Sequence, residues 1–205
     1  MKFTDIKLSE NLHKALLEIG FVKPTEIQKK TIPFLLNSKK DLIALAQTGT
    51  GKTAAFSIPV IESINIKKNQ TQSIILCPTR ELCIQIKNDI DILAKYKKIK
   101  INSVYGGTDI KTQIKSLDKG NHIIVGTPGR VIDLIKRKKI NLEKIKILIM
   151  DEADEMLNMG FKESIDTILE KTPSKKQTLL FSATMPNEVF KISKNYMNDP
   201  DMIEV

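Results

Sequence analysis

The sequence predicts an α/β fold, a mainly parallel central β-sheet flanked by helices, on three observations. Short apolar runs alternate with longer amphipathic stretches along most of the 205 residues. Several of those runs are apolar throughout, as strands are when both faces of a sheet are covered. The stretches between them carry apolar residues at helical spacing. Strand–helix alternation of this kind, joined by right-handed crossovers, builds a doubly wound sheet. Ligands in such sheets sit beyond the carboxyl ends of the strands, so the residues that follow each strand carry the functional reading.

In chain order, residues 1–40 carry no strand and read as a helical preface, with helices at Ser9–Ile19 and Thr25–Leu36. Pro24-Thr25 supplies the start signal for the second. The expected organisation is a single domain in which residues 1–40 belong with a core of residues 41–205. Strands are expected at Asp41–Ala46, Ser73–Cys77, Ile101–Tyr105, His122–Gly126, Lys146–Met150 and Thr178–Phe181. Helical spacing marks Glu81–Tyr96, where Leu82, Ile86, Ile90 and Leu93 share a face, and also Ile110–Leu117, Arg130–Lys138 and Phe161–Glu170. Lys67–Gln72 and Thr172–Lys176 read as loops, and Phe161 as core packing.

Composition removes several classes of function. Hydrophobic residues at 41% and charged residues at 28% fit a globular chain. No apolar run approaches the roughly 18 residues of a membrane span, and Met1–Asp5 lacks a signal-peptide core, so no membrane partner is expected. Cys77 and Cys83 are too few for a disulfide framework or a zinc site and read as reduced thiols, which points to a cytoplasmic location. His13 and His122 alone cannot build a multi-histidine centre. The net charge is 33 − 24 = +9, yet only Arg80, Arg130 and Arg137 are arginine. Lysine runs such as the one around Lys136–Lys139 read equally well as solvated helix faces, so charge alone names no partner.

The strand Asp41–Ala46 runs into Ala46-Gln47-Thr48-Gly49-Thr50-Gly51-Lys52-Thr53 and then an apolar helix start. That is the logic of a phosphate-binding loop. Glycines let backbone N–H groups curl around an anion, and the helix N-terminus adds its positive end. Lys52 would reach the β- and γ-phosphates, and the Thr53 hydroxyl would take Mg²⁺. The strict pattern opens with glycine, where this chain has Ala46. A second element is needed to hold the metal and orient water. Lys146–Met150 ends in Asp151-Glu152-Ala153-Asp154, which offers Asp151 for Mg²⁺ through its water shell and Glu152 as base. Nucleoside triphosphate binding and hydrolysis are expected, with kinases, transporters and GTPases still open at this point.

The other strand ends narrow the choice. Cys77 is followed by Pro78-Thr79-Arg80-Glu81-Leu82, Tyr105 by Gly106-Gly107, Gly126 by Thr127-Pro128-Gly129-Arg130, and Phe181 by Ser182-Ala183-Thr184. With Ala46–Thr53 and Asp151–Asp154, this ordered set closely resembles the first RecA-like domain of a DEAD-box ATP-dependent RNA helicase. The preface agrees: Gly20-Phe21-Val22-Lys23-Pro24-Thr25-Glu26-Ile27-Gln28 resembles that family's Q motif, with Phe3 at its upstream aromatic position. The likeness runs from Phe3 to Thr184.

The resemblance implies a RecA-like P-loop fold and a set of roles. Gln28 would pair with the adenine edge, Thr25 support it and Phe21 stack on the ring, which favours ATP over GTP. Nucleotide contacts would come from these three and from Ala46, Gln47, Thr48, Gly49, Thr50, Gly51, Lys52 and Thr53. The catalytic set would be Lys52, Thr53, Asp151, Glu152 and Asp154, with Ser182 and Thr184 coupling nucleotide state to RNA binding. Thr79, Arg80, Gly107, Thr127, Gly129 and Arg130 fall where the family grips the RNA sugar-phosphate backbone. For Arg80 a structural salt bridge is the alternative.

Backbone contacts without base readers imply sequence-independent, salt-sensitive binding. The family also carries a second RecA-like domain with an arginine-rich block, whereas Met185–Val205 contains no arginine. The expectation is therefore an N-terminal half, able to bind nucleotide but nearly inactive alone. Its parent would be an ATP-driven RNA helicase or, alternatively, an ATP-gated RNA clamp; a DNA helicase of a neighbouring family fits the Q motif and the Asp-Glu-Ala-Asp spelling less well.

Overall fold

A computed structural model describes residues 1–205. A 3-10 turn at Phe3–Asp5 leads into α1 (Glu10–Glu18) and α2 (Glu26–Asn37). The core then runs β1 (Leu42–Leu45), α3 (Lys52–Ser63), β2 (Ser73–Leu76), α4 (Arg80–Leu93), β3 (Ile101–Val104), α5 (Ile110–Leu117), β4 (Ile123–Gly126), α6 (Pro128–Lys136) and β5 (Ile147–Met150). It closes with α7 (Ala153–Asn158), α8 (Lys162–Glu170), β6 (Gln177–Ser182), α9 (Asn187–Tyr196) and β7 (Asp201–Glu204).

The sheet is seven-stranded in the order β3-β4-β2-β5-β6-β1-β7, and every pairing is parallel. Strand residues alternate between two apolar cores. Leu42, Ala44, Ile75, Val125, Ile149 and Phe181 join α1–α4 on one face. Ile43, Ile74, Leu76, Ile124, Leu148 and Leu180 join α5–α9 on the other. The reason lies in the path of the chain. From β1 to β3 it moves toward one edge of the sheet with α3 and α4, then reverses toward the other edge with α5–α9. A constant crossover hand forces the covering helices onto the opposite face when the direction reverses. The preface is built into this core, since Phe3, Ile6, Leu12, Leu16, Ile27 and Ile32 are buried with α3 and α4.

The strands, the preface helices, α5 and α8 lie where the sequence placed them, to within one or two residues. Two differences have clear causes. The helix expected to run to Tyr96 stops at Leu93, where the chain passes into turns closed by Lys95 N–H on the Ile92 carbonyl and Lys97 N–H on the Ala94 carbonyl, and the Lys97 ammonium then donates to the Ile61 and Glu62 carbonyls ending α3. The strand β7, with its alternating exposure, has only β1 as a neighbour, and its Asp-Met-Ile-Glu sequence lacks the all-apolar signature used to find the others. Buried Asp41 anchors it indirectly, one carboxylate oxygen accepting the Thr178 N–H and the other the Asn198 N–H, each at 2.7 Å. No helix is long and apolar enough to cross a membrane.

Candidate nucleotide and strand-binding sites

The loop between β1 and α3 turns on two left-handed glycines, Gly49 (φ 83°) and Gly51 (φ 91°). Gly51 stands where α3 begins, so the unpaired N–H groups of the first helical turn face the loop. Lys52 is 6% exposed and its Nζ donates to the Ala46 carbonyl at 3.0 Å. The position where the strict motif has glycine therefore acts through its carbonyl, while the Ala46 methyl group is buried in the core. Thr50 Oγ1 closes the loop on the Gln47 carbonyl at 2.7 Å.

Residues from three elements meet this loop across a cavity of about 610 Å³, whose walls include Phe21, Gln28, Gly51, Lys52, Thr53, Asp151 and Glu152. Thr48, Gly49 and Thr79 also line it, whereas Ala46, Gln47, Thr50 and Thr25 do not. Phe21 stacks on buried Phe3 with ring centroids 5.9 Å apart, leaving its other side open. Gln28 does more than the sequence suggests. Its Oε1 accepts the Thr25 N–H at 2.9 Å and its Nε2 donates to the Gly51 carbonyl at 3.0 Å. One lone pair and one N–H remain for a ligand, so the amide ties the preface to the phosphate loop while keeping a donor–acceptor pair free.

Asp151 follows β5 and is 3% exposed. Burial pushes its carboxyl up to about 6, against the opposing attraction of the Lys52 ammonium and with further upward pressure from Glu152. Glu152 adopts left-handed backbone angles (φ 53°, ψ 51°) at the start of α7. A non-glycine residue held there is strained, and such strain concentrates at functional sites. Asp154 lies one step further, outside the cavity walls. Its Oδ2 accepts from Thr184 N at 3.1 Å and from Thr184 Oγ1 at 2.8 Å, and its own N–H donates to Ser182 Oγ at 3.3 Å. Burial pushes the Asp154 carboxyl up, but the Thr184 and Ser182 hydrogen bonds outweigh it and hold the group below its ordinary range. The acidic loop and the end of β6 are thus one hydrogen-bonded unit.

The remaining candidates occupy the ends of β2, β3 and β4. Thr79 Oγ1 caps α4 by accepting the Leu82 N–H at 3.2 Å. Arg80 is exposed and lies over the Tyr105 ring, 5.3 Å from its centroid, rather than in a salt bridge. Gly107 (φ 78°) has open space where a side chain would start, and Gly129 is exposed. Thr127 is buried and its N–H donates to the Val104 carbonyl at 3.1 Å. Arg130 donates from Nη1 to Gln113 Oε1 at 3.1 Å and from Nη2 to the Thr108 carbonyl at 3.2 Å. Sequence reasoning passed over Gln113, one of several polar residues on α5 and without a motif spelling to mark it. Phe161 packs against the second core, as expected.

Comparison with known proteins gives a consistent answer. A family model described as DEAD/DEAH box helicase matches residues 25–192. The chain is 48% identical over 203 residues to the DEAD-box ATP-dependent RNA helicase CshA of Geobacillus kaustophilus, covering 99% of this chain and 43% of that one. It is 49% identical to the protein of the same name from Bacillus subtilis over 203 residues, 99% of this chain and 41% of the relative. The chain spans about two-fifths of the length of these curated relatives. Among solved structures, a DEAD box protein from Methanococcus jannaschii superposes with a TM-score of 0.95 at 48% identity, over 100% of this chain and 56% of that one. A hypothetical ATP-dependent RNA helicase from Sulfolobus tokodaii gives 0.89 at 40% identity, over 97% and 57%.

Proposed function

The chain belongs to the DEAD/DEAH box helicase family, and from that premise we propose that it is the ATP-binding half of an ATP-dependent RNA helicase, built as one domain from residues 1–40 and 41–205. The observation that carries this reading is the single cavity shared by the phosphate loop, the buried Asp151 and the Phe21–Gln28 pair. Phe21 offers an open aromatic face and Gln28 a free donor–acceptor pair for an adenine edge, with Thr25 fixing the amide. Lys52, held on the Ala46 carbonyl, is the cation that would trade that partner for β- and γ-phosphate oxygens.

The donor set also fits Mg²⁺. No three acidic, histidine or cysteine side chains converge to hold a metal unaided. Mg²⁺ does not need such a cage, since it keeps several waters and takes one or two protein oxygens beside substrate phosphates. Thr53 and Asp151, which line the same cavity, would supply those oxygens, and the buried Asp151 carboxylate is offset by the Lys52 ammonium and by the Glu152 N–H that donates to its Oδ1 at 3.0 Å. The metal's chemistry there is charge neutralisation on the phosphates. Glu152 takes the proton of the attacking water. Asp154, Ser182 and Thr184 tie that loop to the end of β6, from which nucleotide state would pass to the RNA side.

Thr79, Arg80, Gly107, Thr127, Gly129 and Arg130 would hold an RNA strand by its sugar-phosphate backbone, without reading bases. Phosphoryl transfer also needs cations on the far side of the nucleotide, which a second RecA-like domain would contribute. The chain alone is then expected to bind ADP or ATP and to turn over very slowly. Steady-state ATP hydrolysis with and without single-stranded RNA, run beside Glu152→Gln, tests this. Nucleotide binding without RNA-stimulated turnover agrees with the reading. Robust turnover that depends on Glu152 refutes the half-site account.

A further inference from the structure

The ends of β3 and β4 meet at one buried side chain, which the end of β2 reaches through the Tyr105 ring. Gln113 is 9% exposed on α5. Its Oε1 accepts the Tyr105 N–H at 3.2 Å and Arg130 Nη1 at 3.1 Å. Its Nε2 donates to the Tyr105 carbonyl at 2.9 Å and to Thr108 Oγ1 at 2.8 Å. A primary amide has two donor hydrogens and two acceptor lone pairs, so every one is used.

Those partners are not scattered. Tyr105 and Thr108 are the two residues that flank Gly106-Gly107, so the amide closes that turn at both ends. Arg130 adds a second tie across the same turn through Nη2 and the Thr108 carbonyl at 3.2 Å. The Tyr105 ring, its backbone fixed by Gln113, is the platform under the Arg80 guanidinium.

We propose that Gln113 is a positioning residue for RNA binding: it sets the spacing of Arg80, Gly107 and Arg130 so that their donors meet successive phosphates of one strand. The inference rests on the RNA reading above. Gln113 itself is turned inward and touches no strand. Its effect is on how many phosphate contacts form together. Flexible glycines and long arginine side chains can each reach a phosphate singly, but reaching several at once requires their loops to be held at fixed separation, and a saturated buried amide does that with little freedom left.

The number of phosphates engaged is readable from salt dependence, since log K for a single strand changes with log salt by about 0.7 per phosphate contact. We would titrate a labelled oligouridine with the chain across a salt series, alongside a fluorescent ADP analogue and thermal unfolding. Gln113→Ala is expected to weaken RNA about tenfold and to lower the salt slope by one or two contacts, with ADP affinity within about twofold of the parent chain. Gln113→Glu, which keeps both accepted hydrogen bonds and loses both donated ones, gives a foldable second test and should fall between. In a Gln113→Ala, Arg130→Ala double variant the losses should not add, because one acts through the other. Parent-like RNA affinity and slope in Gln113→Ala overturn the inference. So does a parallel fall in RNA and ADP affinity with an unchanged slope, which is the mark of simple unfolding. If the parent chain binds no RNA at any salt, the RNA reading itself fails and this inference with it.

Discussion

The carboxyl end of the sheet is divided into two halves that handle charge in opposite ways. On β1, β6 and β5, the ionic groups are inside: Lys52 and Asp151 are buried, and the backbone turns left-handed at Gly49, Gly51 and Glu152. On β2, β4 and β3, no charge is buried: Arg80, Gly107 and Gly129 are exposed, Arg130 is half-buried and braced by neutral partners, and the one buried candidate, Thr127, is neutral. A buried charge interacts strongly with an arriving phosphate, and Lys52 need only exchange its Ala46 carbonyl for it, which suits bond breaking. An exposed row of donors is weaker per contact, screened by salt and indifferent to sequence, which suits gripping a strand that must later be released. The same scaffold thus offers chemistry on one side and grip on the other.

The comparison would break if the halves could not be damaged separately, and two glycines test this with the largest expected effect. A methyl group added at Gly51 would stand 2.5 Å from Gln28 Nε2, on a backbone at φ 91° that side chains resist. Gln28 would have to move and lose its bond to the Gly51 carbonyl. Gly51→Ala is therefore expected to weaken ADP at least about a hundredfold, adding the strain of roughly 1–2 kcal/mol to the lost contacts. At Gly129 the nearest atom to such a methyl group is Phe161 Cε1 at 4.0 Å. Gly129→Ala should fold and bind ADP as the parent does, while RNA affinity falls roughly three- to tenfold by blocked approach to the backbone. Fluorescent-ADP and labelled-RNA titrations of both variants decide it, and a matched loss of both ligands in either variant would unite the halves.

Buried charge also predicts that the nucleotide half weakens the empty chain. Burial moves the Asp151 carboxyl from 3.8 to about 6. Between those values the native state holds a proton that the unfolded chain has released. Stability should then fall as pH rises through that window and stay at the lower level above it, by about 2–3 kcal/mol. Asp151→Asn removes the ionisation. In urea unfolding with chelator and no nucleotide, the variant should be the more stable protein at pH 7.5, and the gap should close toward pH 4. A gap that is constant with pH would mean that Asp151 is not ionising in a buried setting, and the contrast between the halves would lose its main support.

How much of this could be read beforehand depended on whether a residue's role is local or shared. Fully buried parallel strands are apolar at every position, so β2, β4 and β5 were plain. The edge strand β7 carries only Ile203 against the core and offered no such run. Lys52 and Asp151 sit in spellings whose chemistry is fixed by spacing, and the fold brings them to one cavity. Gln28 was visible as an amide suited to a base, but its bond to Gly51 joins positions far apart in the chain and could not be seen. Gln113 was invisible for the same reason, since its four partners come from Tyr105, Thr108 and Arg130. Sequence patterns report what a segment does by itself; they do not report which segments a side chain ties together.

Ala46 sharpens the point at the smallest scale. The strict phosphate-loop pattern has glycine there, which suggests a position that requires freedom of backbone. Here the backbone is not left-handed at Ala46, the residue is 2% exposed, and its methyl group packs with the core while its carbonyl holds Lys52 at 3.0 Å. Nothing in that arrangement calls for glycine. Ala46→Gly should leave ADP affinity within about twofold, because the carbonyl stays. It should lower stability by about 1–1.5 kcal/mol, from the lost buried methyl group and the added freedom of the unfolded chain. Urea unfolding and ADP titration separate the two effects. A variant that binds ADP markedly more tightly would show instead that the methyl group obstructs the loop, and that the inward, chemical half of the site is tuned by residues whose side chains never touch the ligand.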